Sequence, residues 1–204
     1  MAIISKSFVA WAVLGAGLGA GGVAAAADWP AAGRDLKNSR HQSAEKSISA
    51  TTAGALTLKW SVPTDGDVTA NPAVDGGFIY FPDSAGSLYK VNKSTGAIVW
   101  KKPVSNYTGI AGDFARATPA VAGDLLILGN QSGKFLGPSF GQPAPQPARV
   151  FAVNKNTGAA VWSTQVDDTY LSMVTNSAIV SDGVAYIGTA SNEELVAAFV
   201  PKSY

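Results

Sequence analysis

The sequence predicts an all-β fold built from a repeated four-stranded antiparallel unit. Three observations carry that prediction. The 204-residue chain is 47% hydrophobic and only 14% charged, with 22 glycines and 11 prolines. An ordinary soluble domain carries about 25% charged residues, so this composition favours short strands and tight turns over long solvated helices. Second, Leu88 to Val104 (LYKVNKSTGAIVWKKPV) and Val150 to Val166 (VFAVNKNTGAAVWSTQV) agree at 9 of 17 positions. Third, a shorter element occurs three times: NPAVDGGFIYF from Asn71, TPAVAGDLLILG from Thr118 and NSAIVSDGVAYIG from Asn176.

In chain order, the first element is not part of that fold. Met1 to Ser7 carries one lysine, Lys6, and Phe8 to Val23 is apolar and rich in Gly and Ala. Ala25, Ala26 and Ala27 ahead of Asp28 offer the small residues a signal peptidase reads. Residues 1–27 are therefore expected to be a cleaved signal peptide. A membrane span competes for the same stretch, but the cleavage site favours export, to a periplasm or beyond, with no span left in the mature chain. Gly17, Gly19 and Gly22 spell GxGxxG, a pattern that binds dinucleotides only between a strand and a helix, and neither is expected there.

Each short repeated element is an apolar run, a Gly-containing turn and a second apolar run, the sequence form of a β-hairpin. The LYKVN and VFAVN segments supply a third strand, and after the STG or NTG turn AIVW and AAVW supply a fourth. Repeated units of this size form propeller blades or similar radial arrays. Gly96 and Gly158 fall where the turn before the last strand needs positive φ. Trp60, Trp100 and Trp162, each late in a unit, are expected to fill the wedge between adjacent sheets. Between the second and third strands, the PDSAGS turn of the first unit is replaced in the second by the Pro/Gly-rich Gly129 to Ala148, a long excursion of the kind that either carries function or simply covers surface.

The same composition excludes several functions. A net charge of +1 with scattered basic residues gives no footprint for nucleic acid. The absence of cysteine removes disulfides, thiolate zinc sites, c-type haem attachment and lipoprotein anchoring. His41 is the sole histidine and is expected at the surface, so neither a His-based metal cluster nor a Ser-His-Asp triad is in prospect. Asp167 and Asp168 are adjacent, and on a strand they would face opposite sides. Asn92, Asn106 and Asn130 match the N-x-S/T acceptor pattern, which is common by chance.

Lys90 to Trp100 (KVNKSTGAIVW) and Ala152 to Trp162 (AVNKNTGAAVW) resemble the tryptophan-docking motif AxDxxTGxxxW of quinoprotein dehydrogenases, with Asn in place of Asp. Asp28 to Arg40 (DWPAAGRDLKNSR) resembles the WxxxGRDxxNTR opening of the same enzymes, polyvinyl-alcohol dehydrogenases above all. The resemblance implies a propeller of the quinoprotein alcohol dehydrogenase (PQQ repeat) type. In that family the axis holds pyrroloquinoline quinone (PQQ), and a Ca²⁺ ion acts as Lewis acid in alcohol oxidation. Three residues before Pro72, Pro119 and Ala178 stand the repeat-equivalent Thr69, Arg116 and Thr175, where the family carries Glu, Arg and Thr against the quinone. Gly188 to Glu194 (GTASNEE) is similar to the family's GxSGAE stretch, which implies Glu193 as metal ligand and Ser191 as stand-in for a quinone-contacting Ser. Ile110-Ala111-Gly112 occupies the place of the family's vicinal cysteines.

The 177 residues from Asp28 to Tyr204 suffice for three to four blades, and the family needs two to three times as many to close a ring. Residues 28–204 are thus expected to form an incomplete PQQ-type β-propeller. The expected function is the N-terminal portion of a PQQ-dependent alcohol dehydrogenase, inactive alone. It would act on a small or polymeric alcohol and pass electrons to an external acceptor such as a cytochrome c. The alternatives are a quinone-free repeat scaffold that binds proteins, and a nonfunctional truncation whose strand edges aggregate.

Overall fold

The computed structural model describes residues 28–131, 146–169 and 171–193. The expected signal peptide, the middle of the Pro/Gly-rich excursion (132–145) and residues 194–204 lie outside these. The first sheet is β1 (Ala73–Asp75), β2 (Phe78–Pro82), β3 (Ser87–Asn92) and β4 (Ile98–Pro103), antiparallel in that order. A one-turn helix, α1 (Ser105–Thr108), closes at Gly109 in the left-handed region and leads to the second sheet. That sheet is β5 (Ala120–Ala122), β6 (Leu125–Gly129), β7 (Arg149–Asn154) and β8 (Ala160–Gln165). The third unit shows two short ladders: β10 (Ile179–Ser181) with β11 (Val184–Tyr186), and β9 (Ser172–Met173) with β12 (Ala190–Ser191).

The three hairpins share one register, with Ala73 opposite Tyr80, Ala120 opposite Ile127 and Ile179 opposite Tyr186. Both complete sheets also slip by one residue at the same place, between Lys90 and Val91 and between Ala152 and Val153. The turn before the last strand explains why Asn serves where the motif has Asp. Asn92 Oδ1 accepts the Ser94 and Thr95 amides at 2.9 and 3.0 Å, and Asn154 Oδ1 accepts those of Asn156 and Thr157 at 2.9 and 3.0 Å. The turn needs an acceptor oxygen, and an amide supplies it as a carboxylate does. Gly96 and Gly158 follow at φ 75° and 71°, as the sequence predicts.

The sheets stack face to face. One face of the first, here its back (Tyr80, Leu88, Trp100), packs on the front of the second (Leu126, Leu128, Phe151, Val153) in a single buried cluster. The back of the second (Ile127, Val150, Ala152) packs in turn on Val180, Ala185 and Ile187 of the third unit. Strand β5 lies against both β1 and β10, so the first strands of the units are neighbours along one side, as in a propeller. Lys155 Nζ crosses between sheets to Asp75 Oδ2 at 2.6 Å. Lys90 is buried beside this pair, with its Nζ 3.9 Å from the Phe78 ring centroid.

The tryptophans divide. Trp60 Nε1 donates to Lys93 O at 3.1 Å, and its ring lies where a Cβ on Gly96 would come within 2.8 Å. Trp100 repeats the arrangement one sheet on, donating to Lys155 O at 3.2 Å over Gly158. Here glycine is required twice over, for positive φ and for the close approach of the ring. Trp162 differs from the expectation: it is 39% exposed against 8% for Trp100, because no described residue stacks against it. Asp167 and Asp168 also differ, since they lie beyond the end of β8. Asp167 accepts the Thr169 amide and the Thr189 hydroxyl, whereas Asp168 accepts from Gln165. His41 is exposed as expected.

Candidate functional site

Antiparallel pairing puts the entry to each first strand and the turn between the second and third strands at one end of the sheet. In the first unit, the Ser84 amide donates to Asp67 O and the Asp67 amide to Ser84 Oγ, both at 2.9 Å. In the second, the Gln131 amide, at the root of the long excursion, donates to Phe114 O at 2.7 Å. The excursion therefore leaves the sheet beside Phe114, two residues before Arg116 in the chain.

Thr69, Arg116 and Thr175 each stand four residues before the first strand of their unit (β1, β5 and β10). All three side chains are exposed, and none has a hydrogen-bond or ion-pair partner among the described residues. The fold thus presents two hydroxyls and one guanidinium, in equivalent positions, at the same end of three neighbouring strands. A guanidinium binds carboxylates as a planar fork, and a Thr hydroxyl donates to a carboxylate or carbonyl oxygen. That donor set suits an oxygen-rich anion such as a carboxylated quinone.

Ser191 and Glu193 sit elsewhere at this end. Ser191, on β12, pairs with Ser172 of β9, and its Oγ accepts the Glu193 amide at 3.1 Å. Ca²⁺ takes six to eight oxygens, and among the described residues no group of three His, Cys, Asp or Glu side chains gathers. Glu193 belongs to no such group, so the described residues do not by themselves fit a Ca²⁺ site.

A motif-based reading of the sequence misses the network beneath this rim. Asp83 and Asn130 are repeat equivalents, each the first residue past the second strand. Asp83 Oδ1 accepts the Ser87 amide at 2.8 Å, and Asn130 Oδ1 accepts the Arg149 amide at 2.6 Å. Asp83 Oδ2 further accepts the Tyr89 hydroxyl at 2.7 Å and the Asp65 amide at 3.1 Å. Burial, reinforced by this bond to Asp83, raises the Tyr89 pKa.

Asn130 is fully buried and gathers more. Its Nδ2 donates to Asp113 Oδ2 at 2.8 Å, and its carbonyl accepts the Val174 amide at 2.9 Å. Asn130 thereby ties together the segments that lead to Arg116 and Thr175. Asp113, 2% exposed, has its pKa raised by burial against the opposing hydrogen bonds of Thr108, Asn130 and the Phe114 amide. A polar pair spaced 17 residues apart across an antiparallel ladder leaves no local sequence signal. What could have found it is the repeat alignment of Asn130 on Asp83.

Comparisons with known proteins bear on this geometry. The sequence profile of the PQQ_2 family, described as outer membrane protein assembly factor BamB, matches residues 21–202. The polyvinylalcohol dehydrogenase of Sphingopyxis sp. (strain 113P3) is 24% identical over 151 residues, covering 70% of this chain and 20% of that protein. Quinohemoprotein alcohol dehydrogenase ADHIIG from Pseudomonas putida HK5 superposes with a TM-score of 0.63 at 23% identity, over 81% of this chain and 23% of that one. The quinohemoprotein alcohol dehydrogenase from Comamonas testosteroni gives 0.62 at 23% identity, over 83% and 25%. A europium-containing methanol dehydrogenase gives 0.62 at 19% identity, over 81% and 28%. These structural likenesses show the fold, a portion of a propeller, and the chain spans a fifth to a little over a quarter of the length of each relative.

Proposed function

We propose, because the chain belongs to the PQQ_2 family of repeat proteins and is related to part of the quinoprotein alcohol dehydrogenases and polyvinyl-alcohol dehydrogenase, that it forms part of the cofactor wall of a PQQ-dependent alcohol oxidoreductase. The observation that carries this is the row of exposed Thr69, Arg116 and Thr175, without partners among the described residues, at one end of adjacent first strands. In this reading Arg116 holds a cofactor carboxylate, Thr175 and Thr69 donate to its oxygens, and Ser191, set apart from them at the same end, is a further hydroxyl toward the quinone. Glu193 contributes one oxygen to a Ca²⁺ ion whose remaining ligands come from outside the described residues. When bound, the quinone supplies two-electron oxidation of an alcohol, small or polymeric, and an external acceptor such as a cytochrome c takes the electrons onward. The protein's own share is to orient the cofactor and to fix the rim through Asn130 and Asp113. The proposal places the protein outside the cytoplasm, through cleavage after Ala27. No helix among the described residues is long and apolar enough to cross a membrane.

A titration of PQQ with Ca²⁺ into the purified protein, followed by quinone absorbance, tests this. Saturable binding is expected, weakened at least tenfold in Arg116→Ala and less in Thr175→Ala. Dye-linked alcohol oxidation is expected to be absent in this chain alone. Failure to bind, or equal binding by Arg116→Ala, overturns the proposal. It would leave the reading favoured by the family's description as an assembly factor, a quinone-free scaffold for protein contacts.

A further inference from the structure

The third unit departs from the other two directly beside the candidate row. Thr69, Arg116 and Thr175 are followed in the chain by Ala70, Ala117 and Asn176, so only the third unit carries a polar side chain at that position. Asn176 Nδ2 donates to Gly188 O at 2.8 Å, and its Oδ1 accepts the Gly188 amide at 3.1 Å. One side-chain amide thus satisfies both backbone groups of a single residue. In the shared hairpin register Gly188 is the equivalent of Pro82 and Gly129, which pair with Leu88 and Val150 of the third strands. In the third unit the β10–β11 ladder runs only to Tyr186, and Asn176 takes hold of Gly188 two residues beyond it.

Strands β9 and β12 explain what that hold achieves. Met173 lies opposite Ala190 and Ser172 opposite Ser191. Continued by two residues, the same antiparallel register sets Thr175 beside Gly188, and the Asn176 side chain closes the ribbon at this end. Its other end is tied by the Asn192 amide, which donates to Leu171 O at 3.0 Å. Between the two, the Thr189 hydroxyl donates to Asp167 Oδ2 at 3.0 Å. We propose that Asn176 is a positioning residue for the quinone site, fixing Thr175 against the Gly188–Ser191 stretch. The inference rests on the quinone reading of the row that contains Thr175. Asn176 acts through its neighbour, by removing in advance the backbone freedom that binding would otherwise have to remove.

Two measurements on the full chain test it. Amide hydrogen exchange without cofactor should find Gly188 protected in the wild type and faster in Asn176→Ala, with the amides of β6 and β7 unchanged. Asn176→Ala gives the third unit the residue the other two carry, and its far-ultraviolet spectrum should match the wild type. In a titration of PQQ with Ca²⁺, the variant should bind about fivefold more weakly, the order of one net hydrogen bond. In the Thr175→Ala background the same change should cost little more, because the residue it positions has lost its hydroxyl. Additive losses, or unchanged affinity in Asn176→Ala, overturn the inference and leave the quinone reading standing. A wild type that does not bind overturns both. Exchange at Gly188 that is equally fast with and without Asn176 overturns the inference at its structural root.

Discussion

Trp100 and Trp162 occupy the same place in the same motif, yet Trp100→Ala should cost much more than Trp162→Ala. Trp100 is 8% exposed, donates to Lys155 O and lies over Gly158. Truncating a buried tryptophan costs ~3–5 kcal/mol, and here the loss includes ~1 kcal/mol for the Lys155 carbonyl left without its donor. Trp162 is 39% exposed. The difference is about a third of a ring burying up to ~250 Å², which at ~25 cal/mol/Å² amounts to ~2 kcal/mol less stabilisation. Trp100→Ala is therefore expected to lose about 4 kcal/mol and Trp162→Ala about 1–2. Urea unfolding of dilute protein, followed by far-ultraviolet circular dichroism so that the lost fluorophore does not matter, should separate the two midpoints by about 1 M at an m-value of ~2 kcal/mol/M. Equal losses for the two variants would refute the view that docking on the next unit, rather than the ring itself, supplies the stability.

Three further outcomes are expected. Gly129→Ala should destabilise by ~2 kcal/mol, because its Cβ would overlap the Val174 side chain, Cβ included, at an ordinary backbone conformation; Val174→Gly, which removes that Cβ, should make the pair cost less than the sum of the two single changes in a double-mutant cycle read by thermal unfolding. Asp83→Ala strips a buried acceptor from the Ser87, Asp65 and Gly66 amides and from Tyr89. It should cost ~3 kcal/mol or more, whereas Asp83→Asn keeps the acceptor for the Ser87 amide but sets an NH2 group against the Asp65 and Gly66 amides, so it should recover only part of that loss in the same urea assay. Burial raises the pKa of Asp113, so the folded chain holds that proton more tightly than the unfolded chain. Its contribution falls as pH rises from the ordinary carboxylate range through the raised native value, and recovers on acidification. Stability measured against pH should show that slope in the wild type and lack it in Asp113→Asn; parallel curves would show that the carboxyl does not titrate abnormally.

Much of the fold is legible in the residues because strands and turns are local. The hairpins at Asn71, Thr118 and Asn176, the asparagine-capped turns and the positive-φ glycines 96 and 158 follow from patterns a few residues long. The candidate row of Thr69, Arg116 and Thr175 is legible too, since equal spacing from equivalent strands fixes equivalent positions. The support under that row is not. Asp113, Asn130 and Arg149 meet across strands, and the excursion between the last two removes any fixed spacing that could announce the contact. Asp167 and Asp168 show the opposite error: an assumed strand settled their orientation, where a loop bound to Thr189 decides it.

The sequence by itself determined that the protein repeats a four-stranded unit and where each turn, docking tryptophan and candidate donor falls, because hydrophobic alternation and turn chemistry are properties of neighbouring residues. Only the tertiary structure decided which copies of a motif are satisfied. Trp100 is covered and Trp162 is not, and Tyr80 is sealed while Tyr186 is bare. A repeat encodes the same faces in every unit, but burial depends on what lies beyond each face. That is set by the order of stacking and not by the letters of any single unit.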